Sequence, residues 1–219
     1  CKSMTLDSES QGSILSEAEP SERQKGTRLL FIVPMHITWN SYLQPAENSR
    51  SYLKKDGRRY NSLATDLPLG PLSMSAYIKK HYADIDIKLI DFNAELNVLD
   101  SVDSEKYEDI VRLFLSKFEE FDPNLIGISS LFSPSFDNFI DSARVSRELF
   151  PKALILGGGN IPTNSYKYIY NELEETSFDG LCIGEGEKPL LHLIQSVDRR
   201  FYIQQSKSWV SAAKLKQYP

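Results

Sequence analysis

The chain has 219 residues, 25 Lys and Arg against 30 Asp and Glu, a net charge of −5 and an ordinary apolar fraction. That is enough for one well-buried domain with extra segments at its ends. The acidic balance gives no footprint for nucleic acid or an anionic membrane surface, and no apolar run approaches the roughly 18 residues of a membrane span. Cys1 and Cys182 are the only cysteines, so a disulfide framework is not expected and a cytoplasmic location is the default reading. A chain that begins with Cys reads as a piece cut from something longer.

Residues 1–27 are rich in Ser, Glu, Gln and Lys and read as a disordered leader. The texture changes at residues 28–35, RLLFIVPM, an apolar run of strand length stopped by Pro34. More than thirty residues follow, His36 to Leu69, rich in Tyr, Asn, Ser, Arg and Lys. A loop that long is usually functional or disordered, and this one starts at a strand's carboxyl end. Its Trp39, Tyr42 and Tyr52 are candidates to cover a flat ligand. Pro71 to Tyr82 reads as a helix with small residues on one side, and residues 85–92, IDIKLIDF, as a second strand.

Tyr107, Ile110, Val111, Phe114, Leu115 and Phe118 form a helical stripe. A third strand spans 124–131, NLIGISSL, followed by the stripe Phe136, Phe139, Ile140 and Ala143. The fourth, KALILGGG at 152–159, precedes Tyr166, Ile169, Tyr170 and Leu173, and the fifth, GLCIGEG at 180–186, precedes Leu190, Ile194 and Val197. Five strand–helix repeats predict an α/β, Rossmann-like, doubly wound, flavodoxin-like parallel sheet of five strands in an αβα sandwich. Its boundaries are 28–198, with 199–219 a linker toward a further domain.

Parallel topology brings four loops to the carboxyl edge. They carry Pro34 and His36; Ser129, Ser130 and Leu131; Gly157, Gly158, Gly159 and Asn160; and Gly184, Glu185 and Gly186. The triple glycine follows the fourth strand and lacks the third glycine of a dinucleotide fingerprint, and no Gly-Lys-Ser/Thr ends a phosphate loop. His36, His81 and His192 have no metal-ligand spacing, so no protein metal site is read. Small, uncharged or hydroxyl-bearing residues after the third and fourth strands suit a large, partly apolar ligand better than a polyphosphate. Blander roles stand beside these. The glycines can make a tight turn, Ser129 can cap a helix, His36 can be a plain loop residue, Glu185 and Glu187 can complement a helix dipole, and Cys182 can be an inert core thiol.

The stretches IGISSLFSPSFDNFIDSA and ALILGGGNIPTNS together resemble the cobalamin (vitamin B12)-binding domain family, with Ser129-x-Leu131 after the third strand and paired glycines after the fourth. The resemblance implies a serine that bonds the cofactor's lower tail and glycines that let its ring approach the backbone. LPLGPLSMSAYIKKHYADIDIKLIDFNAE, FPKALILGGGNIPT and FDGLCIGEGEKPLLHLI extend it to the amino-terminal domain of cobalamin-dependent radical S-adenosylmethionine enzymes, over roughly residues 28–198. His36 is in register with the family's cobalt-ligating histidine, but the neighbouring Asp and Gly of that motif are missing. The Cys-x-x-x-Cys-x-x-Cys of an iron–sulfur cluster is also missing, so S-adenosylmethionine and the cluster would belong to a catalytic domain in cis.

The resemblance implies a corrinoid-binding module, with no catalysis of its own, of such an enzyme, a methyltransferase among the options. Two alternatives stand beside it. One is a cofactor-free relative with a structural or substrate-recognition role. The other is a flavin mononucleotide domain using Thr38 and Ser41.

Overall fold

A computed structural model describes residues 26–49, 51–173 and 176–217. The leader expected over 1–27 lies outside the described residues as far as residue 25, and Thr27 already opens the first strand. The main sheet is built from β1 (Thr27–Val33), β4 (Ile85–Asp91), β5 (Leu125–Ser129), β6 (Leu154–Gly158), β7 (Gly180–Cys182) and β8 (Trp209–Val210). Their order across the sheet is β4-β1-β5-β6-β7-β8. All pairs are parallel except β7 with β8. The five parallel strands, counted in chain order, lie 2-1-3-4-5, the flavodoxin-like order.

The sheet is buried on both faces, which is why β1 reads as a continuous apolar run rather than an alternation. Leu30 and Ile32 enter one core with Ile126, Ile128 and Ile155. That core is covered by α4 (Tyr107–Leu115), α5 (Phe136–Leu149) and α6 (Asn160–Asn171). Leu29 and Phe31 enter the other core with Leu125, Leu154 and Leu156. It is covered by α2 (Leu69–His81), α7 (Glu187–Gln195) and α8 (Arg199–Gln205). Asp179, at the foot of β7, joins three segments: its carboxylate accepts from the Ile155 amide at 2.8 Å and from the guanidiniums of Arg147 and Arg200.

Three expectations are corrected. The sheet has six strands rather than five. The segment after residue 198 is not a linker: α8 packs its Ile203 and Tyr202 on the core, β8 pairs with β7, and α9 (Ala212–Gln217) follows. The long loop is also structured. It holds a short helix α1 (Trp39–Leu43) and an antiparallel hairpin of β2 (Tyr52–Lys55) and β3 (Arg58–Asn61). The hairpin turns on Asp56 and Gly57, both at positive φ, the geometry that matches strand twist.

A further helix, α3 (Phe92–Val98), starts on the Asp91 side chain, which accepts from the Asn93 amide at 2.9 Å. The buried Lys55 ammonium donates to the Asn97 and Leu99 carbonyls at its far end, where a cation complements the helix dipole. Trp39 stacks on Tyr42, which is fully buried and reaches the Leu96 carbonyl, and Arg59 lies 3.9 Å over the Tyr52 ring. These three aromatics line none of the cavities at the carboxyl edge described below.

Candidate functional site

The strand ends converge on a slot of about 230 Å³ between the sheet and helices α2 and α7. Its floor crosses four strands: Gly127 and Ser129 from β5, Leu156 and Gly158 from β6, Cys182 from β7 and Trp209 from β8. The register sets Gly127 beside Leu156, Ser129 beside Gly158 and Cys182 beside Trp209. Gly70 and Met74 of α2 form one wall, and Glu187 and Leu190 of α7 the other. Across the mouth the Ser73 hydroxyl donates to Glu187 Oε1 at 3.3 Å. None of the lining residues is Lys or Arg.

The three consecutive glycines have three different reasons. A Cβ on Gly157 would sit 2.5 Å from Leu181 Cδ2 and 2.8 Å from Phe139 Cζ, so this position is closed by the core on the far side of the sheet. Gly159 has φ +96, and a Cβ there would meet the Ser130 carbonyl oxygen at 2.4 Å. It is a backbone crossing that only glycine permits. Gly158 differs: its φ is ordinary, and no protein atom lies within 4 Å of where its Cβ would be. Its missing side chain faces the slot.

The two serines also divide. Ser130 is buried, with its hydroxyl bonded to that of Ser135, its amide donating to the Gly158 carbonyl at 3.1 Å, and its carbonyl accepting from the Ile161 amide at 3.3 Å. It ties the β5 and β6 loops together and does not line the slot. Ser129 Oγ lies on the slot face, 4.0 Å from the position of a Cβ on Gly70.

A second cavity of about 210 Å³ adjoins the first through Gly70, Ser129 and Leu131. His36, Asp66, Asp91 and Phe132 line it. Burial lowers the His36 pKa more than Asp91 and Asp66 raise it, so the ring is neutral near pH 7. It meets Phe132 edge-on at 4.8 Å. Two buried asparagines fix the His36 loop. Asn93 donates to the Pro34 carbonyl and accepts from the His36 amide at 2.9 Å, and Asn138 donates to the Met35 and Ile37 carbonyls. Leu67, Leu69, Leu131 and Phe132 are exposed around this cavity and leave it an apolar rim.

The structure therefore brings Ser129, Leu131, Gly157, Gly158, Gly159, Gly184, Glu185 and Gly186 to one slot and His36 to the cavity beside it. Pro34 contributes a structural carbonyl, and Asn160 opens α6 with its side chain bonded to Asn164. Glu185 stands at the slot's mouth, and its carbonyl faces the Cys182 thiol. Cys182 is not remote from the site, because it forms floor. Burial pushes its thiol up to about 11, keeping it protonated.

Gly70, Met74, Gly127, Leu190 and Trp209 were not among the expected site residues. Gly127 alone carried a signal, a glycine inside a strand that marks close approach. Thr38 and Ser41, the flavin candidates, bond to each other as the cap of α1 and line neither cavity. Among the described residues no group of three His, Cys, Asp or Glu could hold a metal ion, and no helix is long and apolar enough to cross a membrane.

Compared with known proteins, residues 67–194 match the model of the B12 binding domain. Among solved structures the fold is similar to a novel cobalamin-binding protein from Desulfitobacterium hafniense DCB-2, at 10% identity and a TM-score of 0.43. The likeness covers 78% of this chain and 58% of that one. A search of the curated proteins gave no match.

Proposed function

The chain belongs to the B12-binding domain family, and from that premise we propose that it is the corrinoid-holding module of a radical S-adenosylmethionine enzyme. The carrying observation is Gly158. In a sheet packed on both faces, one strand position is left without a side chain although neither its backbone nor its neighbours require it. A flat ring lying over Ser129 and Gly158 accounts for that, whereas the space over Gly127 is taken by the Phe31 ring.

The chemistry of the slot fits the nucleotide tail of cobalamin. The floor is small or apolar apart from the Ser129 hydroxyl and the Cys182 thiol, and no cationic side chain asks for a polyphosphate. The corrin would then lie on the carboxyl edge, against Leu131, Phe132, Leu67 and Leu69. His36, neutral in the adjoining cavity, offers an imidazole nitrogen on that side. Gly157, Gly159 and Ser130 hold the loops in place, while Gly184, Glu185 and Gly186 close the slot beside α7.

When bound, the cofactor supplies a cobalt centre that carries a methyl group, and the protein supplies binding and orientation. These 219 residues lack the three spaced cysteines of a cluster. The reaction, methyl transfer in our reading, is therefore assigned to a catalytic domain in cis that supplies S-adenosylmethionine and iron–sulfur chemistry.

Reconstitution with hydroxocobalamin followed by desalting tests the binding step. The folded chain should elute with corrinoid absorbance in near-equimolar amount. A folded chain that elutes colourless would refute the proposal.

A further inference from the structure

β4 is the outer strand of the sheet, at the edge opposite β8. Its inner side pairs with β1 from Ile85 to Asp91, and among the described residues no strand lies on its outer side. The first rung fixes the direction of its backbone groups. The Asp84 carbonyl accepts from the Thr27 amide at 3.3 Å, so residue 84 faces β1. These directions alternate along a strand, so the N–H and C=O of Asp86, Lys88 and Ile90 also face β1, and those of Ile85, Ile87 and Leu89 point outward. An open row of this kind is a template for another strand.

The side chains say which strand fits. Asp86 and Lys88 are exposed on one face of β4. Ile85 and Ile87 pack on the core of the other face, where Leu89 keeps 37% of its surface exposed. Arg28, beside Asp86 in the register, turns its guanidinium to Asp122 at 3.0 Å, and the Lys88 ammonium lies 4.4 Å over the Phe121 ring. Neither Asp86 nor Lys88 is in an ion pair among the described residues. Charges that only blunt an edge can carry either sign. Here they have opposite signs and flank Ile87 symmetrically.

We propose that β4 is a self-association edge, whose partner is the β4 of a second copy of this chain, antiparallel and centred on Ile87. Two-fold symmetry then sets Ile87 opposite Ile87, Ile85 opposite Leu89, and Asp86 opposite Lys88 of the second copy. The outward groups of Ile85, Ile87 and Leu89 make the hydrogen-bonded pairs. Asp86 and Lys88 fall at the intervening positions, where facing side chains come closest. Moving the axis by one residue sets Asp86 against Asp86 or Lys88 against Lys88, so the charges select one register. The sheet then runs unbroken through both copies, and the slot, which crosses β5 to β8, stays open in each. The inference is independent of the corrinoid reading.

Sedimentation of the full 219-residue chain tests it. A junction of one strand per copy belongs to the weak, reversible class, so the dimer fraction is followed up to about 1 mM. Asp86→Lys and Lys88→Asp each set like charges across the axis at both pairs and should weaken the dimer at least about tenfold. The double exchange restores opposite charges and should return the parent affinity.

A parent chain that stays monomeric over that range would overturn the proposal. So would a dimer that ignores the single exchanges, or one that the double exchange does not recover. Should a variant fail to fold, hydrogen exchange on the parent chain decides the matter. The outward amides of Ile87 and Leu89 should gain protection as the concentration rises, and amides that exchange equally fast throughout would overturn the pairing.

Discussion

Replacing Gly158 with leucine should separate folding from binding. The backbone there accepts a side chain, and no protein atom stands within 4 Å of the new Cβ, so the leucine enters the slot without displacing the core. Relieving the strand of a glycine offsets any strain by about 0.5–1 kcal/mol. Stability in urea should therefore stay within about 1 kcal/mol of the parent. The same side chain occupies the floor where the flat ring would lie, and forcing a ring over it should cost about 1–3 kcal/mol, roughly 5- to 150-fold in Kd.

Its neighbours should behave in the opposite way. Gly157→Ala drives a methyl to 2.5 Å from Leu181 and 2.8 Å from Phe139, which should destabilise the fold by about 1–3 kcal/mol. Gly159→Ala adds a strained φ to a backbone collision at 2.4 Å and should be at least as damaging. Urea unfolding and absorbance titration with hydroxocobalamin on the three variants read out both quantities. A Gly158→Leu chain that unfolds as easily as Gly157→Ala, or that binds as tightly as the parent, would refute the reasoning.

Other outcomes follow from the same geometry. Asn138→Ala removes two buried hydrogen bonds to the Met35 and Ile37 carbonyls and should cost about 2 kcal/mol in chemical unfolding. Cys182, its thiol raised to about 11, should resist alkylation at pH 8 in the folded chain and react on unfolding, as read by mapping the modified peptide. His36 titrates near 6.5 when unfolded and lower in the fold, so the unfolded chain takes up the proton first and stability falls as pH drops below 6.5. His36→Gln should flatten the stability profile over that window, and an unchanged slope would remove His36 as its source.

The parallel layers were legible because β1, β5 and β6 are buried apolar runs and the alternating β4 stands at the sheet's edge. Leu29 to Val33 and Leu125 to Ile128 announce themselves by composition alone. The hairpin was also written in the chain, as Asp56-Gly57 between the alternating segments of β2 and β3, but the polar character of the region hid it. The short β8 has no periodicity to read, since its two residues become a strand only because Cys182 and Leu181 are there to pair with. Helix α3 is equally local, depending on the Asp91 cap and the Lys55 ammonium, which arrives from another element.

In the site, sequence grouped the glycines and the serines as if each set shared one task. Only the alternation of strand faces separates Gly158 from Gly157 and Ser129 from Ser130. Trp209 left no signal, because its relation to the slot is set by strand pairing 27 positions away from Cys182.

The crossing of Gly159 over the Ser130 carbonyl has an evolutionary consequence. The two loops that shape the slot share one backbone contact and two backbone hydrogen bonds, so neither can drift alone. A substitution that moves the Ser129–Leu131 segment shifts the ground under Gly158, and the reverse also holds. Changes on the two segments should be epistatic, with paired effects that do not add. A lineage retuning this slot for a different ligand would have to alter both loops together.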